Sequence, residues 1–329
     1  MTLTRRELVC LATGTAAVLA VPRIAGAQAY PTRPVTMIVP FPAGGAADTI
    51  GRIIAEGMRD SLGQAVVVEN VTGAAGSIGP GRVVRAASDG YTLSLGSSGT
   101  HVVNGATMAL QYDVVDDFEP VALLSTQPLM IVARKDMRAK DLKELIAWLK
   151  ANPDKATQGT TGPGSTIHLA GALFQKMTGT RFASVPYRGT NLAMQDMVSG
   201  RIDIMFDLAS LSMPQVRAGT IKAYAIMAKG RLAAAPDIPT VDEVGLPGFY
   251  GSVWIALWAR KGAPKDVITK LNAAVVNALA NPAVRGRLGG LGHEVFPREQ
   301  QTPEALAAFQ RNEIDKWWPI IKAAGIKVN

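Results

Sequence analysis

Apolar positions along this chain follow two alternating rhythms. Short β-branched runs such as Val35–Val39 read as buried strands. Each is followed by apolar residues stepping by three and four, as Ile50, Ile53, Ile54, Met58 and Leu62 do, which is one face of a helix. Between the first strand and helix lies Pro40-Phe41-Pro42-Ala43-Gly44-Gly45. Proline ends the strand because it cannot donate to a sheet ladder, and the glycines let the chain turn tightly. The unit is strand, glycine turn, helix. Such a turn aims helix-start N–H groups and the positive end of a helix dipole at whatever sits above it, with Gly44 and Gly45 supplying two open amides for an anion. An ordinary turn with glycines for packing reads the same way, and the pattern alone leaves both open.

The alternation continues. Residues 65–69 read as a strand, 73–79 as a glycine loop, 81–87 as a helix and 91–95 as a strand, with Ser97 and His101 just past its end. Two apolar segments, 121–124 and 129–133, flank Gln127-Pro128 and read as a crossing into a second lobe. A helix over 141–151 and a strand over 156–159 lead to a second glycine turn, residues 159–168. There Ser165 is a good N-cap, and Leu169, Leu173 and Met177 continue a helix. Strands follow at 182–185, 203–206 and 222–227, with a helix at 192–198, a proline-punctuated connection at 231–247 and a return crossing at 253–258. Helices near 265–279, 282–288 and 303–324 close the chain. This order predicts an α/β fold with a largely parallel sheet, whose ligand lies outside the carboxyl ends of strands.

Residues 1–29 break the rhythm. Arg5 and Arg6 precede a mostly apolar stretch, 8–21, too short for a mature membrane span, and small residues favour cleavage near Ala27 or Ala29. Either a twin-arginine or a general export signal fits, so the expected location is the periplasm. Cys10 is the only cysteine, so the remaining 300 residues exclude disulfides and cysteine metal sites. The net charge is +8; the leader holds Arg5, Arg6, Arg23 and Glu7, net +2, which leaves +6 in scattered cations and little support for nucleic-acid binding. His101, His168 and His293 lack metal-ligand spacing, so no metal and no cofactor are expected. No G-x-S-x-G elbow, phosphate loop or dinucleotide fingerprint occurs, which argues against an enzyme. The competing reading is a secreted hydrolase of small esters or amides, using Ser165 or Ser97 with His168 or His101.

The stretches YPTRPVTMIVPFPAGGAADTIGR, VENVTGAAGSIG, DGYTL, FEPVALL, the turn ending in Ser165-Thr166-Ile167-His168, VPYRG, GRIDIMFD and PDIPTVDEVGLPGF occur in one order. In that order they resemble the Bug family, the extracytoplasmic solute-binding proteins of tripartite tricarboxylate transporters. The resemblance covers essentially the whole chain after the leader. It implies a two-lobed periplasmic binding protein of type II-like form, each lobe a mainly parallel sheet flanked by helices, with the ligand cleft between lobes. Residues 30–126 with 253–329 would form one lobe and 127–252 the other. The implied ligand is a small carboxylate, the implied partners are membrane permease subunits, and a monomer is expected; a ligand-sensing module for a membrane receptor shares the same chemistry. On the family's first loop fall Phe41, Ala43, Gly44, Gly45 and Asp48; on its second fall Thr160, Gly164, Ser165, Thr166 and His168; Asp207 falls on the aspartate after the Met205-Phe206 pair.

Ser97, Tyr187 and Arg188 complete the candidates. Asp48 would repel an anion, so it is expected to hold water or a ligand hydroxyl or amine, or else to support its helix start. His168 either faces the cleft or bonds to backbone. Arg188 either pairs a ligand carboxylate or sits solvated in its turn. Tyr187 reads as a packed ring. Gly-Thr-Thr-Gly-Pro stands where many relatives carry a serine-alanine-glycine-asparagine run, which bears on substrate identity.

Overall fold

The first strand–turn–helix unit folds around buried aliphatics. In the computed structural model, which describes residues 30–187, 189–232, 234–323 and 325–327, β1 (Val35–Val39) is buried except at Thr36. Helix α1 (Ala46–Leu62) buries Ile50, Ile53, Ile54, Met58 and Leu62, and ends at Gly63 in the left-handed region. Strands β2 (Val66–Asn70) and β3 (Thr92–Ser97) pair in parallel with β1 on either side. Between them α2 (Ile78–Val84) starts three residues earlier than the pattern indicates. A single 3₁₀ turn, Ala74–Gly76, runs almost directly into it. A π-helical turn, Gly99–Val103, and the short α3 (Asn104–Thr107) follow β3.

The segments on either side of Gln127-Pro128 are one strand, not two. β4 (Phe118–Arg134) runs for 17 residues. Its first half pairs antiparallel with β9 (Ser252–Arg260) and the short β10 (Glu294–Val295). Its second half pairs antiparallel with β7 (Ile204–Leu208) and β8 (Ile221–Ile226). Pro128 stands opposite Ser252 where the strand exchanges partners, so a residue without an N–H is tolerated there. Strands β5 (Thr157–Thr160) and β6 (Ala183–Pro186) are parallel to each other, and β5 is parallel to β7. The sheet order is β2-β1-β3-β9-β4-β7-β5-β6. The sheet is therefore mixed rather than largely parallel: two parallel trios are joined through antiparallel β4 and β9.

Alternation along β4 builds the second half of the core. Leu129, Ile131 and Ala133 join a cluster with Phe174, Phe206 and Phe249, while Met130 and Val132 face Met194, Met197 and Met205. On the first face lie α4 (Leu142–Ala151), capped by Asp141, and α5 (Thr166–Thr178). On the second lie α6 (Thr190–Val198) and α7 (Ala209–Arg217). Helix α7 is absent from the sequence reading because Pro214 lies inside it, yet Ala209, Ser212 and Met213 bury one face. Helices α8 (Lys265–Ala280), α9 (Pro282–Gly290) and α10 (Pro303–Ala323) complete the chain. The described residues from Arg33 onward form one compact unit. Among the described residues no helix is long and apolar enough to cross a membrane. The leader, with Cys10 and the cleavage sites, lies outside them.

Candidate functional site

Strand register brings the carboxyl ends of the two parallel trios face to face. Ser97, the last residue of β3, stands level with Ile255 of β9, which stands level with Ser125 of β4. Leu208, the last residue of β7, stands level with Leu129 of β4. β3 runs the same way as β4, because both are antiparallel to β9, whereas β7 runs against it. The two sets of strand ends therefore look at each other across the four-residue step from Ser125 to Leu129. At about 3.4 Å per residue that gap is about 14 Å. Ligands of α/β sheets sit outside carboxyl ends, and here two such ends share one space.

The first glycine turn leads off β1. Gly44 has φ +79, a conformation that suits glycine, and Gly45 is extended at the helix N-cap with no side-chain cap. Neither amide is open, contrary to the expectation from sequence. Gly44 N–H donates to Asp48 Oδ2 at 2.9 Å, and Gly45 N–H to Pro42 O at 3.3 Å. The first helical bond is donated by Thr49 to Gly45 O, so the N–H groups of Ala46, Ala47 and Asp48 are the ones left ahead of the ladder. Asp48 is likewise not poised for a ligand. It is 3% exposed and accepts from Gly44, from Arg52 Nε at 2.9 Å and from Asn70 Nδ2 at 2.9 Å. The Arg52 bond, helped by Gly44 and Asn70 against the effect of burial, lowers its pKa to about 2. Asn70 also donates to Phe41 O at 2.9 Å, which pins the loop at both ends. Ala43 is exposed beside Gly44, and Phe41 packs its ring against Gly76, where a Cβ would lie 3.3 Å from Phe41 Cζ.

That contact adds a third loop to this side. Gly73, Ala74, Ala75 and Gly76 all have positive φ, with Ala74 at 45° and Ala75 at 51°. Two alanines in the left-handed region are strained, and such strain gathers where function holds it. Asn104 Nδ2 donates to Ala75 O at 3.0 Å, and Tyr112 Oη to Ser77 O at 3.1 Å, so the loop is held from below. Asn70, Asn104 and this loop are additions to the expected site; the sequence signals for Asn70 and the loop were the stretch VENVTGAAGSIG and its glycines at 73 and 76, and Asn104 carried none.

The second turn, after β5, copies the first. Gly164 has φ +77, and its N–H donates to the side chain four residues on, here His168 Nδ1 at 3.3 Å. Ser165 caps α5 by accepting from His168 N–H at 3.2 Å, and Leu169 donates to Ser165 O. The amides of Thr166 and Ile167 remain ahead of the ladder. Thr160 is buried and accepts from Gly162 N–H at 3.2 Å, a brace within the loop. Burial lowers the pKa of His168. Tyr187 sits as a packed ring whose hydroxyl donates to Asp196 at 2.8 Å. Arg188 lies outside the described residues.

Asp207, near the end of β7, is fully buried. Ser212 Oγ donates to its Oδ2 at 2.9 Å, and its Oδ1 has no partner among the described residues. Burial raises its pKa to about 7. Ser97 is buried, with its N–H donated to Thr100 Oγ1 at 2.9 Å. His101 does not serve Ser97 as a base: its Nδ1 lies 2.9 Å from Thr100 Oγ1, it stacks 3.8 Å over Trp258, and burial lowers its pKa to about 3. Nor does His168 bond the Ser165 hydroxyl through its ring. Among the described residues neither histidine ring bonds the hydroxyl of Ser97 or of Ser165. Among the described residues no His, Asp and Glu cluster could hold a metal ion.

The family profile described as tripartite tricarboxylate transporter family receptor matches residues 50–326. BugT of Bordetella pertussis is 34% identical over 304 residues, 92% of this chain and 92% of that protein. MatC of Rhodopseudomonas palustris, solved with bound malate, is 39% identical with a TM-score of 0.77, covering 89% of this chain and all of that one. A second R. palustris protein, solved with adipate, is 31% identical with a TM-score of 0.79, covering 91% of this chain and 99% of that one.

Proposed function

Because the chain belongs to the tripartite tricarboxylate transporter family of receptors, we propose that it is a periplasmic solute-binding protein that captures a small carboxylate between two lobes and presents it to membrane permease subunits. The observation that carries this is the pair of like-built turns. Each is a strand, a glycine with positive φ, a side chain folded back onto that glycine's N–H, and a helix whose first two amides have no partner among the described residues. The parallel pairing of β1 with β3 and of β5 with β7, whose ends flank the same gap, supports bringing both turns to one ligand. Helix-start amides favour anions from both sides, and neither turn surrounds a carboxylate alone. A ligand that touches both favours the closed arrangement, since only contacts that differ between two states shift their balance. Relatives solved with malate and with adipate support the ligand class.

The lobes divide where the chain crosses, near residues 127 and 252. Leu129 N–H donates to Gly251 O at 2.9 Å, and Gly251 N–H to Met227 O at 3.0 Å, which supports a hinge of two adjacent strands. Ser97, Thr166, His168 and Asp207, with the amides of Ala46, Ala47, Thr166 and Ile167, are the contacts this reading assigns to the ligand. A stability screen of residues 30–329 with malate, adipate and other small carboxylates tests it. A bound acid at 100 times its Kd raises stability by about 2.7 kcal/mol. A flat response across mono-, di- and tricarboxylates refutes carboxylate capture.

A further inference from the structure

Helix α10 lies beside the place where the chain crosses, and it is pinned to the end of β3. Gln310 Nε2 donates to His101 O and to Val114 O, both at 2.8 Å, and Trp318 Nε1 donates to Val102 O at 2.9 Å. The turn between those anchors carries Glu313, Lys316 and Trp317. Glu313 Oε2 accepts from Trp254 Nε1 and from Trp317 Nε1, both at 3.2 Å. Trp254 is on β9, just past Gly251. Lys316 reaches the other way: its Nζ donates to Tyr250 O at 2.9 Å. Glu313 Oε1 lies 4.0 Å from that ammonium and the centre of the Trp317 ring 4.7 Å from it, which limits the directions open to a long side chain.

Tyr250 is held from the opposite side. Its hydroxyl donates to Asp242, at 2.9 Å from Oδ1 and 2.8 Å from Oδ2, and Lys229 Nζ stands 5.7 Å over its ring. Both partners fall in the second lobe of the division above. The bend proposed at residue 251 therefore falls between a residue tied to the second lobe, Tyr250, and one tied to α10, Trp254. Such a bend turns the Tyr250 carbonyl with the second lobe while Lys316 stays with the first. A hydrogen bond at 2.9 Å is lost once stretched past about 3.5 Å or turned far off line. The bond from Trp254 to Glu313 joins groups of one lobe and is unaffected. Among the described residues no hydrogen bond or ion pair joins residues 41–48 or 73–76 to residues 160–168 or 207–212. The Lys316 bond is thus made in an arrangement where the two turns do not touch.

We propose that Lys316 restrains closure: its bond to Tyr250 O favours the arrangement in which the turns stand apart, and a ligand must overcome it to bring them together. This rests on the two-lobe reading above and adds a residue, outside the cleft, that sets the balance. A contact present in one of two states lowers affinity for whatever binds the other.

The test uses residues 30–329 and titration calorimetry with malate and adipate. Lys316→Met keeps the stem and removes the donor; water can take the carbonyl of half-buried Tyr250. It is expected to tighten binding of whichever acid the parent binds by about three- to tenfold, the scale of one charged hydrogen bond at a partly exposed side chain. Lys316→Arg keeps a donor and is expected to stay within about twofold of the parent. A merely structural role for Lys316 lowers stability without tightening binding. A second arm needs no ligand. The chain after the leader has no cysteine, so Leu192→Cys, at an exposed position on α6, takes a single spin label. Relaxation enhancement at amides of residues 43–47 is expected to be stronger in the Lys316→Met background than in the parent background. Parental or weaker affinity in Lys316→Met overturns the inference and leaves the carboxylate reading standing, as does tightening by Lys316→Arg to the same extent. A parent that binds neither acid counts against the carboxylate reading; the ligand-free label then decides the inference, and equal enhancement in the two backgrounds overturns it.

Discussion

Replacing Asp207 by Asn should change how stability depends on pH more than it changes stability itself. Asp207 is fully buried, accepts one side-chain bond, from Ser212, and has an Oδ1 with no partner among the described residues. Burial raises its pKa from 3.8 to about 7. An acid with a raised folded pKa holds its proton in the folded state where the unfolded chain has lost it. Stability therefore falls as pH rises from about 4 to about 7, and is unaffected below that window. Three units at 1.36 kcal/mol each give a loss of about 4 kcal/mol by pH 8. Asparagine has the same shape and does not titrate. Its amide, aimed where Oδ1 stands, leaves a donor unpaired at about 1–3 kcal/mol, but that offset is the same at every pH. The quantity to read is the difference between the two proteins, from urea unfolding without ligand at pH 4 and pH 8; the other titrating groups are common to both and cancel. Asp207→Asn should gain about 4 kcal/mol on the parent between those two pH values. If the difference moves by less than about 1 kcal/mol, Asp207 is solvated in the folded protein and the burial argument fails.

Three further outcomes follow from the turns. Asp48→Asn should lower stability at pH 7 by about 1–2 kcal/mol, discounted for the exposure of Arg52; since the folded pKa is depressed to about 2, the loss should vanish as pH falls from about 4 to 2, as urea unfolding at both ends would show. Ala75→Gly should raise stability by about 1 kcal/mol, because glycine adopts φ 51° without the Cβ clash, and an unchanged melting temperature would mean the loop is not strained. Gly164→Val should cost about 2 kcal/mol and weaken carboxylate binding, because a β-branched residue at φ +77 distorts the turn; parental affinity in that variant would remove the turn from the site.

What could be read in the sequence was local. The β1 turn and α1 are specified by neighbours: a β-branched run, a proline stop, glycines, then a helical apolar stripe. The Ser165 cap and its helix are legible for the same reason. The role of Asp48 was not, because Asn70, the partner that fixes it, is on the next strand, 22 residues away. Asn104 reaches Ala75 across 29 residues and looks in sequence like any turn asparagine. Pro128 suggested a break, yet β4 runs through it, because whether a strand tolerates proline depends on which partners it has at that point. Helix α7 was hidden by Pro214 in the same way: burial of Ala209 and Met213 outweighs a propensity that alone argues against it. The family resemblance named Asp207, but its place opposite Met130 of β4, where it is fully buried, is set by a strand pairing that the local sequence does not show.

The same pairing explains how a single sheet could serve two lobes. Ser125 and Leu129 mark the edges of the gap, so the spacing between the two turns depends on the conformation of four residues of β4 and of its neighbour near Gly251. The two crossings are bonded to each other and to Met227, so sliding one past the other breaks Leu129 N–H to Gly251 O and Gly251 N–H to Met227 O together. Bending about them does not. Pro128, which has no N–H to lose, makes the middle of that step the place where curvature disturbs the ladder least. The corner before β10 adds a stop. Gln127 Nε2 donates to Leu291 O at 3.4 Å, Ser125 Oγ lies 3.1 Å from His293 Nδ1, and a Cβ on Gly292 would come within 3.0 Å of Ser210 Cβ at the start of α7. Residues 291–293 thus rest on the crossing and against the helix that follows Asp207. In the proposed closure the motion is a bend about residues 127–129 and 251, with Gly292 bearing on Ser210, and the turns at Gly44 and Gly164 keep their own geometry while the distance between them changes.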